Sequence, residues 1–556
     1  MLYTRPCMRL DGWRSWAAAA LSAALLELPF PLAGPMPAWH SFFAWVGLAP
    51  LVAAVLSRAT VSHRRPWLQA FLLSYFCGFL WYAGNCYWVR DTMMRYGDMP
   101  AAAPTLLLIG FSLVLGLYFG LFGLAVMLVR MAAQSASWAL AAAPVAWVAL
   151  DLAAARITSV PWDQLGYSQV DNALVNQLAP WTGVYGITFV LVAVNALLAG
   201  ALVLSSRAGQ IVAGTAGLLL LAAGVVGLGL RPGDAPTTAA AMLVQPNLDV
   251  GDESAWPGSQ WGQHIAQFTR LAADPCRSYI AGIPQTGAPV VVPQCAVLGP
   301  PSSLIVWPES PAPFAEQDPR LKDALAAVAR ATGAPLIIGS IGMDYVPEEQ
   351  DWHDYNSALV VGVDGVRVGR YDKIHLVPFG EFVPFKDLLS FARKLTGRVS
   401  EFTRGSERSV FRLNGHRYGV FICYEAVFAD EVREFAQLGA EVLVNISDDG
   451  WYGDTSAPWQ HLNMARMRAI ENRRWILRDT NNGVTAAIDP YGRVRQSIPR
   501  HIVDALPAAY GFRDDVTFYT AHGDVFAWAC AILGLGIVGG AIGAGLRRGL
   551  QIKVRS

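Results

Sequence analysis

Apolar residues are gathered at the two ends of this chain. Long runs fill the sequence before about residue 231 and return after about residue 523, flanking a segment of ordinary globular composition. A helix that is apolar on every face must be covered by lipid or by other helices, so this segregation points to a membrane protein carrying a separate water-facing domain. Windows of roughly 20 apolar residues, enough to cross ~30 Å of hydrocarbon, predict spans near 14–31, 40–57, 67–88, 104–129, 136–154, 181–204, 211–230 and 524–546. Composition agrees, since 54% hydrophobic and 15% charged residues exclude both an ordinary soluble chain and a disordered one. Lys+Arg and Asp+Glu are both 42, so no overall basic excess is present to neutralise phosphates, and no nucleic-acid partner is expected.

Eight spans would place both termini on one side. Cytoplasmic loops carry the excess of Arg and Lys. Arg5, Arg9, Arg14, Arg58, Arg64, Arg65, Arg130, Arg207, Arg547, Arg548, Lys553 and Arg555 fall on the terminal side, against Arg90, Arg95, Arg156 and Arg231 on the other. Twelve against four puts the termini in the cytoplasm and the globular segment outside. Arg5 to Arg14 before an Ala/Leu run also fits a secretory signal, but no convincing A-x-A cleavage site follows, so a retained anchor is expected. The division this predicts is a transmembrane domain of about seven spans over 1–232, a globular domain over 238–505, and a final span with its tail over 522–556.

None of the seven cysteines forms a C-x-x-C pair, so neither a zinc site nor a dithiol redox motif is expected. Three of them, Cys276, Cys295 and Cys423, lie in the globular segment. Cys276 and Cys295 are close enough in sequence to close a short loop, and an oxidising compartment would permit a disulfide between them.

Within 238–505, continuous apolar runs such as A-A-M-L-V-Q, S-S-L-I-V-W-P-E, A-P-L-I-I-G-S, R-Y-G-V-F-I-C-Y-E and A-E-V-L-V-N-I-S read as strands buried on both faces. Helical patterns over 319–332 and 460–474 lie between some of them, which predicts an α/β domain of layered sheets and helices. Sites in such sheets gather at the carboxyl ends of strands. Glu309 follows one strand after Pro308, and Cys423 ends another before the polar pair Tyr424 and Glu425. Lys373 sits in R-Y-D-K-I-H-L-V-P-F-G-E-F-V-P, a Pro/Gly-shaped loop that also holds His375 and Glu381. Taken singly each has a plainer reading: a solvent-facing Glu, a surface Lys, a core Cys, a structural His.

Together and in this order they resemble the Glu-Lys-Cys triad of the nitrilase superfamily. The strings Y-D-K-I-H-L-V-P-F-G-E-F-V-P, F-I-C-Y-E and R-A-I-E-N-R-R-W-I-L-R-D-T-N-N-G-V-T-A-A-I-D-P-Y-G are similar to the apolipoprotein N-acyltransferase family, as are P-W-D-Q-L-G-Y-S-Q and G-V-Y-G-I-T-F-V-L-V-A-V-N-A-L-L-A in the membrane half. The resemblance implies a multi-span helical domain joined to a nitrilase-like α-β-β-α sandwich. It further implies a bacterial inner-membrane enzyme whose catalytic domain is periplasmic. No cofactor is implied. Glu309 would be the base, Lys373 the oxyanion-stabilising cation and Cys423 the nucleophile, with Tyr424, Glu425, Glu381 and His375 binding substrate or supporting the site. The acyl donor would be a membrane phospholipid, phosphatidylethanolamine by family resemblance, the acceptor a diacylglyceryl apolipoprotein, and the enzyme a monomer.

Burial is expected to raise the Glu309 pKa toward that of the thiol. Two departures from the family pattern stand out. Asp448 and Gly450 occupy positions where Asn and Ala are expected, and the stretch between Gln245 and Glu309 is long, leaving Trp256 and Trp261 as alternative site-proximal tryptophans. The segment 382–395 has apolar residues at helical spacing among Lys and Arg, as an interfacial lid or a core-packed amphipathic helix would. A membrane-anchored amidase acting on a small amide, and a non-catalytic scaffold or transporter, are the competing classes.

Overall fold

The computed structural model describes residues 12–97, 100, 102–250, 260–273, 276–281, 291–295, 304–309, 314–378, 380–382 and 401–555. Among the described residues, six helical segments are long and apolar enough to cross a membrane: Ala38–Val61, Ala102–Ala133, Ala136–Ile157, Val184–Val203, Arg207–Gly229 and Val525–Ala544. Five of the seven spans expected before residue 232 are thus recovered, together with the C-terminal one. The other two regions are also helical. Trp13–Glu27 has only 15 residues, about 22 Å at 1.5 Å per residue, which is less than the hydrocarbon thickness. Pro66–Asn85 is long enough at 20 residues, but Gln69, Ser74, Asn85 and its Trp and Tyr residues lower its hydropathy.

Pro66–Asn85 lies tightly against Ala102–Ala133, and the reason is a stripe of small residues. A Cβ at Gly116, Gly120 or Gly123 would meet Phe79, Phe71 or Ser74 at 3.1, 2.7 and 2.2 Å, so glycine at these positions permits the close approach. The 38–61 segment is not one helix. It is a 3-10 turn over Ala38–Trp45, then the short helices Ala49–Val55 and Arg58–Val61. Backbone freed at the break must find partners inside an apolar environment. Asn195, from Val184–Val203, supplies them: its Oδ1 accepts from the Leu48 and Ala49 N–H groups at 2.8 Å, and its Nδ2 donates to Ala44 O at 2.9 Å.

The globular part holds fourteen described strands: β1 (Ala239–Gln245), β2 (Cys276–Ala281), β3 (Val291–Cys295), β4 (Leu304–Val306), β5 (Leu336–Val346), β6 (Asp351–Val361), β7 (Arg367–Asp372), β8 (Val410–Leu413), β9 (His416–Ile422), β10 (Val442–Ser447), β11 (Trp475–Thr480), β12 (Thr485–Ile488), β13 (Val494–Ile498) and β14 (Asp504–Tyr510). They form a six-stranded sheet, β14-β1-β4-β5-β6-β7, and an eight-stranded sheet, β3-β2-β13-β12-β11-β10-β9-β8. Alternation along the strands divides the core. Ala241, Leu243, Leu304, Val306 and Ile337 join Val420, Ile422 and Val444 of the other sheet. Their neighbours Met242, Val244, Ile305, Leu336 and Ile338 pack on the outer helices Trp261–Ala273 and Pro319–Thr332. This is a nitrilase-like α-β-β-α sandwich, as expected.

The helix Ala457–Asn472 covers the eight-stranded sheet and is itself covered by the membrane part. Leu462, Ala465 and Ala469 pack into the core of the globular domain, whereas Met464, Met467 and Ile470 belong to the core of the membrane helices. Polar residues on this helix reach across the junction. Arg468 donates to Tyr167 OH at 2.9 Å, Glu471 accepts the Val184 N–H at 3.1 Å, and Gln460 accepts from Trp162 Nε1 at 2.8 Å. All three are fully buried, so the two parts share one desolvated interface.

Candidate active site

Glu309, Lys373 and Cys423 come from different strand exits of the two sheets. β4 ends at Val306, and Trp307 and Pro308 carry the chain out to Glu309. Lys373 follows β7 directly, its backbone N–H donating to Asn356 O on β6 at 2.9 Å. Cys423 follows β9 and begins a 3-10 turn, Cys423–Val427. Its φ of 48° lies in the left-handed region, costly for a residue with a Cβ and the kind of strain that collects at functional sites.

Lys373 is 1% exposed and its ammonium joins two carboxylates, donating to Glu309 Oε1 and Glu381 Oε1, both at 2.9 Å. Asn356 was not singled out in the sequence. Its Nδ2 bridges the same two oxygens, at 2.7 Å to Glu309 and 2.6 Å to Glu381. Glu309 Oε2 accepts the Asp448 N–H at 2.8 Å, and Glu381 Oε2 accepts the Val377 N–H at 2.8 Å.

These contacts reverse one expectation. Burial pushes the Glu309 carboxyl up, but the charge and hydrogen bond of Lys373, with donors from Asn356 and Asp448, outweigh it and hold Glu309 below the usual carboxylate range. Burial and the Glu309 carboxylate push the Cys423 thiol well up despite Lys373. Although burial opposes it, the two carboxylates keep Lys373 charged. The resting site is therefore a carboxylate, an ammonium and a thiol.

The other expected residues divide by what they touch. Glu425 ties the Lys373 loop to β9, the strand that ends before Cys423: Oε1 accepts from Tyr371 OH at 2.8 Å and the Ile374 N–H at 2.6 Å, and Oε2 accepts the Ile422 N–H at 2.7 Å. His375 lies outside the carboxylate–ammonium cluster, with Nε2 2.9 Å from Glu431 Oε2 and its ring stacked on Phe428. The Tyr424 hydroxyl donates to Ser159 O at 3.2 Å, linking the residue after Cys423 to the membrane part. Trp261 is in the outer core, against Phe314 and beneath Arg320. Trp256 and 383–395 lie outside the described residues.

His461 is a second residue the sequence did not reveal. Its Nε2 lies 3.0 Å from Cys423 O and its Nδ1 3.0 Å from Asp449 Oδ1. Asp449 also accepts from Ser447 Oγ at 2.8 Å and Arg478 Nη2 at 2.7 Å. Burial pushes Asp449 up, yet Arg478 and His461 hold it far below the normal range; burial and Arg478 depress His461. Asp448, the departure noted above, is pushed up to about 8 by burial and by Glu309, while its Oδ1 accepts the Gly450 N–H at 3.0 Å and Asn481 Nδ2 at 3.2 Å.

Residues 22–197 match the apolipoprotein N-acyltransferase N-terminal domain and residues 276–501 the carbon-nitrogen hydrolase family. The chain is 33% identical over 528 residues to an apolipoprotein N-acyltransferase of Geobacter metallireducens, spanning 93% of each chain. Similar matches are the apolipoprotein N-acyltransferases of Allorhizobium ampelinum, 31% identical with 88% of each chain covered, and Agrobacterium fabrum, 30% identical with 94% and 95% covered. Among solved structures, Saccharomyces cerevisiae Nit3, a member of branch 10 of the nitrilase superfamily, aligns with a TM-score of 0.35 and 17% identity over 53% of this chain and 97% of that one.

Proposed function

The chain belongs to the apolipoprotein N-acyltransferase family, and from that premise we propose that it moves an acyl chain from a membrane phospholipid, through a thioester on Cys423, to the N-terminal amine of a diacylglyceryl-cysteine apolipoprotein. The observation that carries this reading is the buried cluster in which a carboxylate and an ammonium share a hydrogen bond at 2.9 Å beside a strand-end cysteine. Thiolate is the nucleophile, so the thiol must lose its proton to Glu309, the adjacent carboxylate that is ionised at rest. The thiolate attacks the ester carbonyl. Charge then develops on the carbonyl oxygen, where Lys373 and the backbone N–H of Tyr424 stabilise it, each such donor being worth on the order of 3 to 4 kcal/mol of barrier. Collapse expels the lysophospholipid alkoxide, which takes the proton back from Glu309.

In the second half the acceptor amine attacks the thioester, gives a proton to Glu309, and the restored thiolate recovers it. Two easier steps replace one difficult transfer, with ping-pong kinetics as the expected signature. Burial of the Ala457–Asn472 helix against the membrane helices supports lipid substrates, because a site at the bilayer surface avoids extracting acyl chains into water at ~0.8 kcal/mol per CH₂. We place the enzyme in the bacterial inner membrane with its catalytic domain periplasmic, on the Arg and Lys asymmetry. A reporter fused after Ser556 that works only in the periplasm would reverse this orientation.

Enzyme given phospholipid without acceptor should gain one hydroxylamine-labile acyl chain on Cys423 and release one lysophospholipid, and Cys423→Ala should gain none. Adding a diacylglyceryl peptide should discharge the adduct into N-acylated product. Transfer persisting in Cys423→Ala would sink the mechanism, and discharge by water alone would favour the amidase reading.

A further inference from the structure

The membrane part holds a small cavity lined by Trp81, Tyr82, Phe119 and Trp147 together with two acidic side chains, Asp151 and Asp163. The rings are mutually packed, Trp81 and Phe119 with centroids 5.6 Å apart and Phe119 and Trp147 4.9 Å apart. Asp163 is 1% exposed. One of its oxygens accepts from Asn85 Nδ2 at 3.1 Å, and the other, buried, has no protein partner. Its φ of 47° is again left-handed, a backbone conformation held at some cost. A buried carboxylate with an unused oxygen inside a membrane domain calls for a functional explanation. Ring faces beside carboxylates are the chemistry of ammonium recognition, combining cation–π attraction with a charge-assisted hydrogen bond.

The cavity is also linked to the Cys423 turn through intervening side chains. Trp162 and Val160 line it. The Trp162 ring stacks over His461 at 6.3 Å, and His461 in turn holds the Cys423 carbonyl. Ser159, next to Val160, accepts the Tyr424 hydroxyl. We propose that this cavity binds a primary ammonium group of a substrate, an inference that rests on the acyl-transfer reading for which substrate that is. Two sources carry such a group: the headgroup of an amine-bearing phospholipid donor and the α-ammonium of the acceptor.

The direct test titrates the full-length protein in detergent with ethylammonium chloride, with sodium chloride and ethanol as matched controls, and follows its melting temperature. A saturable rise is expected in the wild type, shifted at least tenfold to higher concentration by Asp163→Asn or Asp151→Asn, and also by Ala154→Phe, which fills the cavity without changing charge. No rise beyond the controls, or an equal rise in variants that melt cooperatively, overturns the proposal. The half-reactions then identify the source. With a headgroup ligand, Asp163→Asn lowers the ratio of Cys423 acylation rates from phosphatidylethanolamine over phosphatidylglycerol vesicles at least tenfold. With an acceptor ligand that ratio holds, and half-maximal discharge needs at least tenfold more diacylglyceryl peptide. Change in neither half-reaction overturns a substrate role. If Cys423 is never acylated, the acyl-transfer reading fails, while the ethylammonium titration still decides whether the cavity takes an ammonium.

Discussion

Replacing Lys373 with Met tests the electrostatics of the site most severely. In the wild type one ammonium serves Glu309 and Glu381, each at 2.9 Å, with the Cys423 thiol also within its field. Methionine nearly preserves the volume and removes both charge-assisted hydrogen bonds. Two carboxylates then share a desolvated site with Asn356 as their only common donor, and breaking a buried pair in this way typically costs about 3 to 5 kcal/mol. The sign of the pH dependence should also change. Glu309 is depressed in the wild type, so its stabilisation is complete above the ordinary carboxylate pKa and is lost only as pH falls through its folded value. In Lys373→Met burial acts without that compensation and Glu309 is raised. The folded state then holds a proton the unfolded chain has released, and stability falls as pH rises from about 5 to 8. Melting of both proteins in detergent across that range measures the effect, and Lys373→Met/Glu381→Gln should recover part of the loss at pH 8. A loss below about 1 kcal/mol, well under the buried-pair cost, or a pH trend like that of the wild type, would refute the reasoning. Acylation of Cys423 should fall roughly 100-fold or more through lost oxyanion charge.

Three other outcomes follow from the geometry. His461→Phe removes the contact at Cys423 O and one partner of Asp449, about 1 to 3 kcal/mol of unsatisfied buried polarity; acylation in a folded variant should slow roughly 10- to 100-fold, and an unchanged rate would show that the strained turn holds itself. Asp448 is raised to about 8, so between its unfolded pKa and that value it makes stability fall as pH rises, with a slope approaching about 1.4 kcal/mol per pH unit. Asp448→Asn should abolish that slope, and a melting curve with the same pH dependence would place the proton elsewhere. Cys276 and Cys295 are cross-strand partners on β2 and β3, and directly opposed residues of an antiparallel pair lie about 4.5 to 5.5 Å apart at Cα, within disulfide reach. Peptide mapping of protein purified without reductant should find them bridged; alkylation of both without reductant would exclude it.

Much of this protein was legible because its signals are local. Apolar segregation alone separated the membrane helices from the globular domain, and strand-end breaks at Pro308, Lys373 and Tyr424 marked where Glu309, Lys373 and Cys423 leave the sheets. What the tertiary structure decided depends on distant partners. Asn356 lies 47 residues from Glu309, and Trp162 lies 298 from Gln460, so neither hydrogen bond leaves a periodic trace. The broken 38–61 segment read as a continuous span because its break is satisfied by Asn195, nearly 150 residues away. Glu309 was expected to be raised because burial follows from sequence, whereas the opposing donors of Lys373, Asn356 and Asp448 converge only on folding. Hydropathy is a property of each residue and survives in the linear chain; the field at a carboxylate is a sum over neighbours that only the fold brings together.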